Sequence, residues 1–189
     1  CGITLGEKWR VWGRRGVWVG LAMVIVASVF PFLSRPLGLA GHRTFDPFVR
    51  LRGGKEMGER QGEFLKNVPH PERTFVMALG HRYHAAWMSF YMPSHPRLYR
   101  WEASGTSQSQ YEVWPGPEER IGDDALILDP TPGEGMLLPA EIKEAFERVE
   151  RIGTVSVPLG TEKREFGVYR GDKLKSWKAI RPQASGEPE

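Results

Sequence analysis

The chain has 189 residues, 40% hydrophobic and 26% charged, the make-up of one ordinary folded domain with room for an extra segment. Its one cysteine, Cys1, excludes an internal disulfide and a cysteine-based zinc site. The net charge of +3 is uneven: residues 1–60 carry ten Lys and Arg against four Asp and Glu, and the remainder sixteen against nineteen, which argues against nucleic acid and for an anionic membrane surface.

A chain that starts at Cys1 fits either the lipid-modified cysteine of a mature lipoprotein or a cut within a longer chain, and the second is the plainer expectation. Gly16 to Leu33 reads GVWVGLAMVIVASVFPFL, a stretch without charge. As a helix it extends about 27 Å, enough to cross the hydrocarbon core of a bilayer. Lys8, Arg10, Arg14 and Arg15 precede it, and Trp9, Trp12 and Trp18 stand near that end, where indoles favour the interface. A signal peptide is disfavoured because no small-residue cleavage site follows promptly. A buried core helix is disfavoured because no polar face is visible. Arg35, Arg43, Arg50 and Arg52 follow the span, so charge alone only leans towards a cytoplasmic amino-terminal side.

Residues 34–52 are punctuated by Pro and Gly and read as a juxtamembrane linker. From Gly53 the pattern becomes that of a folded domain. Met57, Phe64, Leu65 and Val68 share one face of a predicted helix over Lys55 to Asn67, and Gly54, Gly58 and Gly62 form a bare second stripe suited to close backbone packing. Thr74 to Leu79 is a predicted buried strand, His81 to Met92 a helix stopped by Pro93, and Arg97 to Trp101 a second strand. That order predicts a parallel βαβ unit. Ala125 to Leu128 is a third strand. Pro139 starts a helix carrying Ile142, Ala145, Phe146 and Val149 on one face, with Glu144 and Arg148 as an i, i+4 pair. Ile152 to Val157 and Glu165 to Arg170 close the domain as a hairpin turning around Gly160. The expected fold is α/β: a small mixed sheet with flanking helices, preceded by one transmembrane helix. The expected divisions are a cytoplasmic basic flank (1–15), a span (16–33), a linker (34–52), an extracytoplasmic α/β domain (53–175) and a flexible tail (176–189).

Chemistry is sparse. His81, His84 and His95, with Glu102 as an alternative third ligand, form the one histidine grouping with zinc-like spacing, against ordinary surface and helix-start roles. Asp123 and Asp124 read as turn residues before a strand rather than as an acid–base pair. No P-loop, GxGxxG or GxSxG motif is present. The stretch Ser107 to Trp114, SQSQYEVW, joins ring faces to polar atoms in the way a sugar or lipid phosphate requires; the plainer role is a loop closing over the core.

Four pieces taken together carry a resemblance: Leu51 to Glu56; Arg82-Tyr83 through Phe90-Tyr91-Met92-Pro93; Ser109 to Trp114; and Gly122 to Leu128. Over residues 51–170 they resemble the carboxy-terminal soluble region of bacterial GT-C glycosyltransferases, in the family-39-like group of protein mannosyltransferases and the lipid A aminoarabinose transferase. The chain departs from that pattern at Glu112, where Asp is commoner. The resemblance implies transfer of a sugar from a polyprenyl-phosphate carrier to a glycan, lipid or protein acceptor outside the cytoplasm, with the globule on the periplasmic side of the inner membrane. The candidate substrate-binding residues are Tyr83, Gln110, Tyr111 and Trp114. The class keeps its catalytic acidic residues, and the divalent metal of some members, in a loop after the first transmembrane helix. No catalytic residue, metal ligand or cofactor is therefore carried over to this stretch. The alternative expectation is a single-pass anchored binding or assembly module without enzymatic activity.

Overall fold

The computed structural model describes residues 7–41, 44, 46–49, 52–102, 107–130, 138–159 and 162–177. The chain divides into two compact units, Cys1–Arg50 with Leu159–Glu162, and Leu51–Pro158 with Lys163–Glu189.

The first unit is dominated by helix α1, Glu7–Leu33. Its stretch Trp9–Leu33 is long and apolar enough to cross a membrane, and none of its apolar window is buried within the protein. The helix begins earlier than the uncharged run and takes in the basic flank, where the Arg15 guanidinium lies over the Trp12 ring at 5.7 Å. The stretch expected to be a linker is folded where it is described. The carbonyl of the buried Ser34 accepts from the amides of Leu39 and Ala40 at 2.8 and 2.9 Å. The buried Asp46 carboxylate accepts from the amides of Gly41 and Phe48, both at 2.9 Å. Phe48 also packs on Phe30 of the helix, with ring centroids 6.2 Å apart.

The second unit is built on a five-stranded mixed sheet. The elements in chain order are α2 (Gly54–Asn67), β1 (Thr74–Leu79), α3 (Arg82–Tyr91), β2 (Leu98–Trp101), α4 (Gln110–Val113), β3 (Asp124–Asp129), α5 (Ala140–Ala145), β4 (Phe146–Pro158) and β5 (Lys163–Leu174). The strand order is β2-β1-β3-β5-β4. β1 runs parallel to β2 and β3, and β5 runs antiparallel to β3 and β4. The fold is thus the expected mixed α/β sheet with a parallel β1-α3-β2 unit and a carboxy-terminal hairpin.

Alternation along the strands sends apolar side chains to both faces, as a sheet covered on both sides requires. One face gathers Phe75, Met77, Tyr99, Ile127, Phe146 and Leu174 under Ile142 and Ala145 of α5. On the other, Val76, Leu126, Leu128, Val155, Phe166 and Val168 are buried. There His84 of α3 meets the Phe166 ring at 5.3 Å.

The glycine stripe of α2 does what its spacing predicts. A Cβ on Gly58 would lie 2.5 Å from the Tyr91 Cβ, one on Gly54 2.9 Å from the Trp87 ring, and one on Gly62 2.8 Å from Pro93 Cδ. Only a helix bare on that side can lie this close to α3.

Two expectations are corrected. The helix from Pro139 stops at Ala145, and Phe146 to Val149 belong to β4. The expected Glu144–Arg148 pair is therefore absent; Arg148 meets Glu150 at 3.0 Å. The cause is tertiary. β4 pairs along its length with β5, and the Phe146 ring occupies the space left by Gly171, where an added Cβ would lie 2.7 Å from it. The second correction concerns the tail. Trp177 is half-buried and packs against the core, so the folded unit runs past residue 175; the tail from 178 on, and the turn at Gly160, lie outside the described residues.

Candidate functional site

The parallel strands end together at one edge of the sheet. In open α/β sheets such an edge, at the point where the strand order reverses, is where ligands bind. Here β1 leads to β2 on one side while β3 lies on the other. The SQYEVW segment lies beside β2, fixed by Arg100 of that strand and by Arg97 just before it.

Arg100, next to last in β2, is buried, with its side chain 5% exposed. Its Nε donates to the Gly80 carbonyl after β1 at 2.7 Å. Its two terminal nitrogens pair with separate carboxylates, Nη1 with Glu112 and Nη2 with Glu102. Glu112, with a side chain only 2% exposed, is ligated on both oxygens. Oε1 takes Arg100, while Oε2 accepts from the Ser109 amide at 2.6 Å, the Ser109 hydroxyl at 2.9 Å and the Gln108 amide at 3.1 Å. Burial pushes the Glu112 carboxyl up, but the hydrogen bonds from Arg100 and Ser109 together outweigh it and hold the acid below its ordinary value of 4.5.

The segment expected as a loop is therefore a single helical turn, α4, closed by a Ser109/Glu112 capping box. Arg97 fastens its far end by donating to the Pro115 carbonyl at 2.8 Å and lies over the Tyr99 ring at 5.2 Å. Arg100 of β2 and Arg97 just before that strand thus strap both ends of the turn.

The strap brings together some of the expected contact residues. Tyr111 and Trp114 meet edge to face, with centroids 5.6 Å apart; Tyr111 is half-buried and Trp114 is 53% exposed. Burial pushes the Tyr111 hydroxyl above its ordinary value. Gln110 is exposed at the start of the turn. Tyr83 belongs to a different aromatic group, with its ring 4.7 Å from His81, 4.1 Å from His84 and 4.8 Å from Trp87. The link between that group and the strap is Arg82, whose Nη1 reaches the Gln108 carbonyl at 3.5 Å.

The other flagged residues have structural roles. His81 caps α3 by accepting from the Tyr83 amide, and His95 lies 3.3 Å from the Ser89 carbonyl. His84 is buried, and neither ring nitrogen makes a hydrogen bond of good geometry. Burial, with the Arg164 charge adding to it, lowers its pKa to about 3. Among the described residues no three His, Cys, Asp or Glu side chains gather as a metal site. Asp123 pairs with Arg73 and Arg120 in the turn before β3, and Asp124 accepts from the Lys173 amide at 2.9 Å.

Arg100 and Glu112 were not singled out as site residues from sequence, and Glu102 only as an alternative metal ligand. The S-x-x-E spacing of Ser109 and Glu112 was the available signal, since it is a helix-start signature. Comparison of the chain with protein-family models, curated protein sequences and solved structures gives no match.

Proposed function

We propose that this chain is the last membrane-spanning helix and periplasmic domain of a glycosyltransferase that uses a polyprenyl-phosphate-linked sugar. The domain assists in positioning donor and acceptor, and the catalytic residues lie in another part of the enzyme. The observation that carries the reading is the strapped turn: an aromatic pair, Tyr111 and Trp114, on a helical turn tied beside β2 by Arg97 and the buried Arg100 network. A turn of this kind presents a ring face and polar atoms to a sugar or carrier phosphate. An exposed apolar helix of spanning length in the same chain supports a place at the membrane surface, where a lipid-linked donor must react. Tethering then keeps the domain at high effective concentration beside the reaction centre.

The reading frame upstream of Cys1 tests this first. A long frame rich in hydrophobic spans, with an acidic pair in its first outer loop, is expected; an immediate start codon favours a single-pass binding module. In membranes of the complete enzyme, Tyr111→Ala with Trp114→Ala is expected to lower turnover of the lipid-linked sugar by about tenfold or more, the loss of roughly 1.4 kcal/mol of transition-state binding. Unchanged turnover at normal expression reduces the pair to packing.

A further inference from the structure

A second concave site lies on the opposite side of β2 from the strap's capping network, where α5 and the end of β5 meet the sheet. Its walls are two indoles, Trp101 at the end of β2 and Trp177 just after β5, and its floor is Ile142 and Ala145 of α5. It is an open notch of about 80 Å³. Both indoles are half-buried and pack on the core.

The notch is held in shape. The Ala145 carbonyl accepts from the Lys175 amide at 2.7 Å, which turns the chain leaving β5 back onto the end of α5. The Trp177 ring lies against Gly116 so closely that a Cβ there would sit 2.6 Å from its Nε1. At the rim stand Glu141 and Glu144, one helical turn apart. Because α5 ends at Ala145, Glu144 lacks the cation expected at position 148, and neither carboxylate makes an ion pair among the described residues. Among the described residues no Lys or Arg lines the notch.

We infer that the Trp101–Trp177 notch binds an organic ammonium group. Indoles attract cations through the ring quadrupole, and two indoles with two carboxylates and, among the described residues, no lining base favour positive charge in the site. Size agrees: the notch is small and open on one side, so it takes a methylated or primary ammonium head and leaves the rest of its carrier outside. That chemistry is shared by free amines and by the headgroups of ammonium-bearing lipids. The inference does not rest on the glycosyltransferase reading.

The test uses the full chain in maltoside micelles, whose headgroups are uncharged, and follows the indole N–H signals of Trp101 and Trp177, assigned with single Trp→Phe variants. Choline chloride, with ionic strength held constant, is expected to shift both signals saturably with a Kd on the order of 1 mM. Its neutral isostere 3,3-dimethylbutanol is expected to bind at least about tenfold more weakly. Glu141→Gln with Glu144→Gln, a surface change that spares the core, is expected to weaken choline about tenfold. Gly116→Ala, at a φ of −73° that alanine adopts freely, is expected to do the same by displacing Trp177. A short-chain phosphatidylcholine that binds more tightly than choline identifies a lipid headgroup as the source; equal or weaker binding identifies a free amine. Equal affinity for choline and its neutral isostere overturns the inference, as does the absence of any shift with choline, or an unchanged choline affinity in the double glutamine variant.

Discussion

Arg100→Ala tests the network on which the strap depends. The substitution removes three partnerships at once: the bond to the Gly80 carbonyl and the ion pairs with Glu102 and Glu112. It leaves Glu112 as a carboxylate only 2% exposed, with no cation and only the Ser109 and Gln108 donors. Removing one partner of a buried ion pair costs about 3–5 kcal/mol, chiefly because the abandoned charge stays desolvated. For a domain of this size that corresponds to a fall in Tm on the order of 15 °C. The cost has a pH signature. In the native protein the Glu112 pKa is depressed, so its contribution is present above the unfolded value of 4.5 and lost as pH falls through the lower folded value. Without Arg100, burial pushes the same carboxyl up, and protonation relieves the penalty. Thermal denaturation of both proteins, followed by far-ultraviolet circular dichroism from neutral pH down through the carboxylate range, should therefore show a gap that narrows with acid. A small gap, or one constant across that range, refutes the reasoning.

Gly58→Ala gains about 1 kcal/mol of helix propensity but places a Cβ 2.5 Å from the Tyr91 Cβ and 2.9 Å from its carbonyl carbon; the expected net is a loss of about 1–3 kcal/mol in denaturant unfolding. His84 is held neutral by burial, with Arg164, His81 and Arg100 opposing its charge, and its pKa falls from 6.5 to about 3. Its contribution is thus intact above pH 6.5 and lost towards pH 3, at up to about 1.4 kcal/mol per unit, and His84→Phe should flatten the stability profile in that window. Leu21→Arg with Val24→Arg places two charges within the apolar helix, at about 2.5–3.5 kcal/mol each in a bilayer; on the proposed anchored reading, carbonate extraction should leave the native chain with the membrane and release the variant.

The elements legible in the sequence were those whose signal is local and redundant. β1 and β3 are short apolar runs bounded by turn residues, and both strands contain the runs expected of them. The Gly54, Gly58, Gly62 stripe announced a close helix approach without naming α3 as its partner. What stayed hidden depends on distant residues. Phe146 and Val149 fit a helical period, yet β5 and the slot over Gly171 draw them into a strand. That edge strand exposes the charged Glu147, Arg148, Glu150 and Arg151, which also discourages pairing with another chain. The site was half legible. Tyr111 and Trp114 stand out by composition, whereas Arg100 reads as an ordinary strand residue until the fold sets Gly80, Glu102 and Glu112 around it.

One arginine between two carboxylates is not an economical way to stabilise a fold, since apolar residues of similar volume often do as well or better. Its use here is geometric. A planar guanidinium directs donors along fixed vectors, and Arg100 uses them to set the turn after β1, the end of β2 and α4 at fixed relative positions. Arg100→Lys separates charge from geometry. A single ammonium keeps the countercharge for Glu112 but cannot span the Gly80 carbonyl and both acids in the same arrangement. The loss of stability should therefore be clearly smaller than for Arg100→Ala, while α4 loosens and the Trp114 indole N–H signal moves or broadens. A lysine variant as unstable as the alanine variant would make countercharge irrelevant. One with native stability and an unmoved Trp114 signal would make the guanidinium plane irrelevant, and the strap would then owe its position to Arg97 and the Ser109 capping box alone.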